Sequence, residues 1–148
     1  MNEYIEMKSR HQQEVNDFPM FFAFSDKQFD DGMKSFGLQS NETDKIYKLG
    51  STGGFYLRTD AARLHEMFDR HEKEMSDEIE NDPTGDGFIF DMFYYELSNH
   101  EYTYTGSVES AIAALGFSWD DIEKSEKLLH GLSKAKKSQW DYYNQQED

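Results

Sequence analysis

The sequence predicts an α+β fold: a small antiparallel sheet of about four short strands, packed with about six helices around a central aromatic helix. Three observations carry that expectation. Phe88 to Leu97 is apolar or aromatic nearly all the way round a helix, so the rest of the domain has to enclose it. Two β-prone segments flank a glycine-bearing link, the pattern of a hairpin. Elsewhere, apolar residues recur at steps of three or four between capping and stop signals.

Asn2 to Val15 reads as an amphipathic helix with a thin apolar face of Tyr4, Ile5, Met7 and Val15. Met20 to Phe24 is a short apolar, aromatic run and is expected to be a buried strand. Ser25 and Gln28 have the capping-box spacing, and the helix they open should run to Phe36 and stop at Gly37. Lys45 to Leu49 and Phe55 to Arg58 are the hairpin strands around Gly50-Ser51-Thr52-Gly53-Gly54. A helix from Thr59 or Asp60 to Asn81 carries Leu64, Phe68, His71, Met75 and Ile79 as one inward stripe. Beyond the central helix, the alternation in Glu101 to Thr105 predicts a fourth strand. Val108 to Leu115 should form a short helix stopped by Gly116. A further helix runs from Ser118 to about Leu129, and Gly131 separates it from a last one.

A chain of 148 residues fits one domain and can bury a sizeable core. Residues 1–17 can stand as a peripheral helix and 144–148 as a frayed tail. The chain contains no cysteine, which excludes disulfides, thiol nucleophiles and thiolate metal sites. Its opening residues lack the pattern of a signal peptide, and no apolar run approaches a membrane span, so the cytoplasm is the expected location. The formal net charge of -15 opposes direct nucleic-acid or membrane binding and favours a basic protein surface as partner. The 16% aromatic content supplies the apolar area that a disordered acidic chain lacks.

Five stretches invite chemistry. Asp82, Thr84 and Asp86 alternate ahead of Gly87 as in a calcium loop, yet Phe93 stands where the bidentate glutamate belongs, so a tight polar turn capped by Asp82 or Thr84 is the better reading. His65, Glu66 and Asp69 imitate a zincin spacing with an aspartate as second ligand, and His71 lies about 240° round the helix from His65. Glu96 falls on the apolar side of the central helix, where burial would call for a partner, and His100 one turn on is the nearest; structural pairing is the commoner role of such a pair. The Gly50 to Gly54 link lacks the Gly-Lys-Ser/Thr of a phosphate loop. Lys134 to Lys137 with Trp140, Tyr142 and Tyr143 has the ingredients of a single-strand binder, opposed by the charge of the whole molecule. No pattern calls for a cofactor.

Met20 to Phe24, Gly53-Gly54-Phe55, Phe68 to His71, Thr84 to Ile89 and Asp91 to Tyr102 carry a resemblance. Across about Phe18 to Leu132 the chain resembles a family of small uncharacterised acidic proteins from tailed phages and related mobile elements. The resemblance brings no activity; it implies an accessory protein acting in the host cytoplasm, for which neutralising a host defence enzyme is a fitting task. In that reading Glu66, Asp69, Glu72, Glu74, Asp77, Glu78 and Glu80 form an acidic face for a basic groove, on a CRISPR effector or restriction nuclease, with carboxylates standing in for phosphates. A charged helix face that is merely solvated explains the same residues. Two further alternatives stand: a metal-binding or acid-base enzyme using residues 82–100, and a structural or regulatory phage protein.

Overall fold

The computed structural model describes residues 2–147, so Met1 and Asp148, the last residue of the expected frayed tail, lie outside it. The chain runs α1 (Glu3–Asp17), β1 (Phe21–Phe22), α2 (Asp26–Ser35), β2 (Ile46–Leu49), β3 (Gly54–Leu57), α3 (Ala61–Asn81), α4 (Phe88–Asn99), α5 (Tyr102–Thr105), α6 (Glu109–Ala114), α7 (Trp119–Glu123) and α8 (Glu126–Glu147). The class is α+β, with eight α-helices and one three-stranded antiparallel sheet among the described residues. These residues fall into two compact units. One comprises residues up to His11 and from Glu74 onward; the other is Gln12–Lys73.

In the Gln12–Lys73 unit the strand order is β1-β3-β2. Leu49 faces Gly54 across the hairpin, and positive φ at Gly50 (+52°) and Gly53 (+83°) turns the chain between them. Phe21 stacks on Phe55 at 5.2 Å between ring centroids, and Phe29 meets Phe55 edge-on at the same distance. A Cβ at Gly32 would lie 2.1 Å from the Phe21 ring, so only glycine lets α2 approach β1 this closely. Ser25 Oγ accepts the Gln28 amide at 3.2 Å, and Gly37 (φ +73°) ends the helix as its pattern requires. Phe18, Tyr56, Leu64 and Met67 make a separate small core.

The other unit is built on α4. Ile89, Met92, Phe93 and Leu97 are fully buried, with Leu128, Leu132 and Ala135 of α8 in the same cluster. Tyr4 and Met7 of α1 are buried in that cluster too, Tyr4 with its ring 5.8 Å from Phe88 and 5.7 Å from Tyr95. At the C-terminal end of α3, Lys127 Nζ donates to the carbonyls of Ile79, Glu80 and Asp82 at 2.8, 3.0 and 3.0 Å, a cation placed where the helix carbonyls end.

Three expectations are corrected here. The Met20 to Phe24 run is no buried strand: only Phe21–Phe22 is extended, and Phe22 and Phe24 are 51% and 76% exposed. Glu101 to Thr105 is no strand. Glu101 takes a left-handed conformation (φ +55°), and Tyr102–Thr105 coils into α5, with the Tyr102 ring 5.6 Å from Trp140 and its hydroxyl accepting the Trp140 indole N–H at 2.9 Å. Tertiary packing overrides the aromatic and β-branched preference of the segment. Gly131 separates no helices either. The break falls at the junction of α7 and α8, where Ser125 Oγ accepts the Leu128 amide at 3.3 Å, and α8 continues through Gly131 to Glu147. A Cβ at Gly131 would stand 2.5 Å from Ile89 Cγ2 and 2.8 Å from the Gly85 carbonyl, so this glycine is the place where α8 approaches α4 and its preceding loop.

Candidate functional site

The loop before α4 is organised by one carboxylate. Asp82 is 5% exposed; its Oδ1 accepts the amides of Thr84 (3.2 Å) and Gly85 (2.9 Å), and its Oδ2 those of Gly87 (3.1 Å) and Ile89 (3.0 Å). Burial alone would raise its pKa, but the four amides together hold it below the ordinary aspartate value. Gly85 (φ +94°) closes the loop, where a Cβ would meet the Lys127 carbonyl at 2.2 Å. Asp86 points elsewhere. It pairs with His130 (2.8 Å) and Lys134 (2.9 Å), and the lysine, then the histidine, pull its carboxyl down to about 2. Thr84 Oγ1 reaches Asp86 Oδ2 at 3.3 Å. The three weak metal candidates thus serve the backbone and α8, with both Asp82 oxygens engaged by amides.

Glu96 is 1% exposed. Its Oε1 accepts the Tyr4 hydroxyl at 2.8 Å and the Lys8 ammonium at 2.7 Å. His100 Nε2 lies 3.5 Å from Oε2, within ion-pair range, but among the described residues Oε2 receives no hydrogen bond. Burial first, then the bond to Glu96, pushes the Tyr4 phenol far above its usual range. Lys8, whose side chain is 44% exposed, also lies 5.2 Å from the Tyr95 ring centroid. His100 is the neighbour that the sequence indicates; Tyr4 and Lys8 arrive from 92 and 88 residues away and leave no local signal.

The α3 carboxylates divide by environment. In the Gln12–Lys73 unit, Asp69 and Glu72 are exposed, and Glu66 pairs with Arg70 at 3.3 Å. Arg70 also grips Glu14 through its two terminal guanidinium nitrogens, with His71 Nε2 at 2.9 Å, and the arginine, then the histidine, hold Glu14 down at about 2. In the other unit Glu80 is exposed, whereas Asp77 and Glu78 are half-buried. Glu74 there takes Arg10 (2.6 Å) and His11 (2.9 Å), which hold it at about 2. Glu74 is therefore neutralised from within, Glu66 stays exposed beside Arg70, and Asp69, Glu72 and Glu80 are exposed as well. One sequence signal could have found these pairs. Arg10-His11-x-x-Glu14 and Arg70-His71-x-x-Glu74 repeat one pattern, and each glutamate is held by the Arg-His of the other copy.

The remaining motifs disperse. His65 and Asp69 sit exposed on α3, while His71 is turned to Glu14. In the basic stretch of α8, Lys134 is occupied by Asp86 and the Phe90 ring (5.3 Å), and Lys137 by Asp141 (2.8 Å). That leaves little of the cationic track a single strand of nucleic acid would follow.

A family of unknown function, DUF7659, matches residues 3–138, and the chain belongs to it. No curated protein and no solved structure matches. Among the described residues, no helix is long and apolar enough to cross a membrane.

Proposed function

We propose that this member of the DUF7659 family is a phage-type accessory interaction protein whose α3 carboxylates meet a basic protein surface. The partner that fits is a host enzyme with a nucleic-acid-binding groove, of the restriction or CRISPR class, whose cationic lining would accept carboxylates in place of phosphates. The observation that carries the reading is the exposure of Asp69, Glu72 and Glu80 along α3 in a chain of net charge -15. Such a surface speeds encounter with cations and loses strength as salt screens it.

The acid-base and metal readings of residues 82–100 have less support. Asp82 spends both oxygens on backbone amides, and Glu96 spends one on Tyr4 and Lys8. The contact reading is tested by capture from host lysate at low salt followed by elution at high salt. Charge reversal at Asp69 and Glu72, and separately at Glu80, should each weaken retention of the salt-eluted protein. Undiminished retention by both variants would contradict the reading.

A further inference from the structure

We infer that a tyrosine-walled pocket beside α5 receives a lysine or arginine side chain of a basic protein partner. The pocket, of about 250 Å³, is lined by Tyr94, Tyr102, Tyr142 and Tyr143 together with Glu101 and Gln139. Tyrosine faces attract ammonium and guanidinium groups held within about 6 Å of the ring centroid. The chain uses this contact internally, with Lys8 5.2 Å from the Tyr95 centroid and Lys134 5.3 Å from that of Phe90.

Three features give the pocket its sign and rigidity. Glu101 is the one charged group of its lining among the described residues, and it occupies a left-handed conformation that L-residues other than asparagine and aspartate rarely adopt, a backbone cost that glycine would avoid. Gln139, 7% exposed, is fixed by its own bonds to the Tyr94 carbonyl (3.1 Å) and Ser98 Oγ (2.8 Å). Tyr102 is held by the Trp140 indole, whose ring also lies 5.6 Å from Tyr143. Two walls are thereby set in advance, while Tyr142, 59% exposed, stands at the mouth. Among the described residues of the lining, an anion would meet Glu101 and no lysine, arginine or histidine, whereas a cationic side chain gains the rings and the carboxylate together. The net charge of -15 selects the same partner.

This inference rests on the reading of the chain as a partner of basic proteins, and its test is separable from that of α3. n-Butylammonium, the end of a lysine side chain, is titrated into the full-length protein while the tyrosine ring resonances are followed by NMR, with 1-butanol as the neutral isostere. Saturable shifts of Tyr102, Tyr142 and Tyr143 are expected with the ammonium alone. Glu101→Gln should weaken its binding about fivefold, the factor expected for a charge pair at 4 Å in water, and Tyr142→Ala, at an exposed position, should weaken it about two- to fivefold, the loss of one exposed cation–π contact, without unfolding the chain. Equal shifts with butanol, or both variants binding like the wild type, would overturn the pocket. Charge reversal at Asp69 and Glu72 should leave these shifts unchanged, so the α3 reading can survive the failure of the pocket.

Discussion

Replacing Asp82 by asparagine is the sharpest probe of how this chain is held together. The substitution keeps the shape and one acceptor oxygen, which can still serve Thr84 and Gly85, but turns an NH2 group toward the amides of Gly87 and Ile89. Two bonds to a charged acceptor, each worth about 1.5–3 kcal/mol, are lost, and relief from burying the charge returns part of that. The net expectation is about 2–4 kcal/mol, or a fall in melting temperature of roughly 5–15 °C for a domain of this size. Urea unfolding followed by circular dichroism measures it, with the slope unchanged if the unfolded state is unaffected. The pH dependence has a definite sign. Because the folded carboxyl titrates below its ordinary value, its contribution is present above about pH 4 and disappears as pH falls through the depressed folded value. The gap between wild type and variant should therefore close on acidification. A variant within about 0.5 kcal/mol of wild type at neutral pH would refute the anchoring role, because half-satisfied buried amides cannot be that cheap.

Further outcomes follow from the same geometry. Gly131→Ala should destabilise by about 1–3 kcal/mol, since overpacking against Ile89 and the Gly85 carbonyl outweighs the helix preference of alanine, about 1 kcal/mol; a higher urea midpoint would contradict it. Lys8→Met should cost about 2–3 kcal/mol by stranding the buried Glu96 carboxylate, and a cycle with Glu96→Gln should give a coupling of at least about 1 kcal/mol by the same unfolding assay. Carbon-detected NMR titration should place the Glu14 and Glu74 midpoints near pH 2, so that their ion pairs are intact above about pH 4.5 and released as pH falls through 2; midpoints above 4 would mean that the Arg70 and Arg10 contacts do not persist in solution. Melting curves with added calcium, magnesium or zinc should coincide with the metal-free curve, whereas a rise would reopen the metal reading of Asp82 and Asp86.

Much of the fold was legible where local chemistry and packing agree. Phe88 to Leu97 could only be enclosed; the Gly50 to Gly54 link could hardly be other than a hairpin; Ser25, Gly37 and Gly116 punctuate helices as their side chains, or lack of them, dictate. Illegible parts owe their form to distant partners. Tyr102-Thr103-Tyr104-Thr105 has the composition of a strand, and only Trp140, far along the chain, makes Tyr102 worth burying in a helical turn. Gly131 has the composition of a stop and the role of a close approach. Around the candidate site, burial of Glu96 could be read from a helical wheel, but its donors Tyr4 and Lys8 could not. Likewise the acidity of α3 was plain, while the withdrawal of Glu74 from solvent-facing Glu66, Asp69, Glu72 and Glu80 depends on Arg10 and His11, which the helical pattern of α3 does not foretell.

The contact reading is tested most directly by a matched-charge comparison of partner affinity. Asp69→Lys with Glu72→Lys is set against Asp26→Lys with Asp31→Lys, exposed carboxylates whose reversal changes the net charge by the same amount. The partner captured from lysate is titrated against both by calorimetry at one fixed salt concentration. The account predicts a loss of at least about tenfold for the α3 variant and little for the other. Equal affinities for the two variants would mean that the charge of this protein acts in bulk and that α3 presents no contact surface.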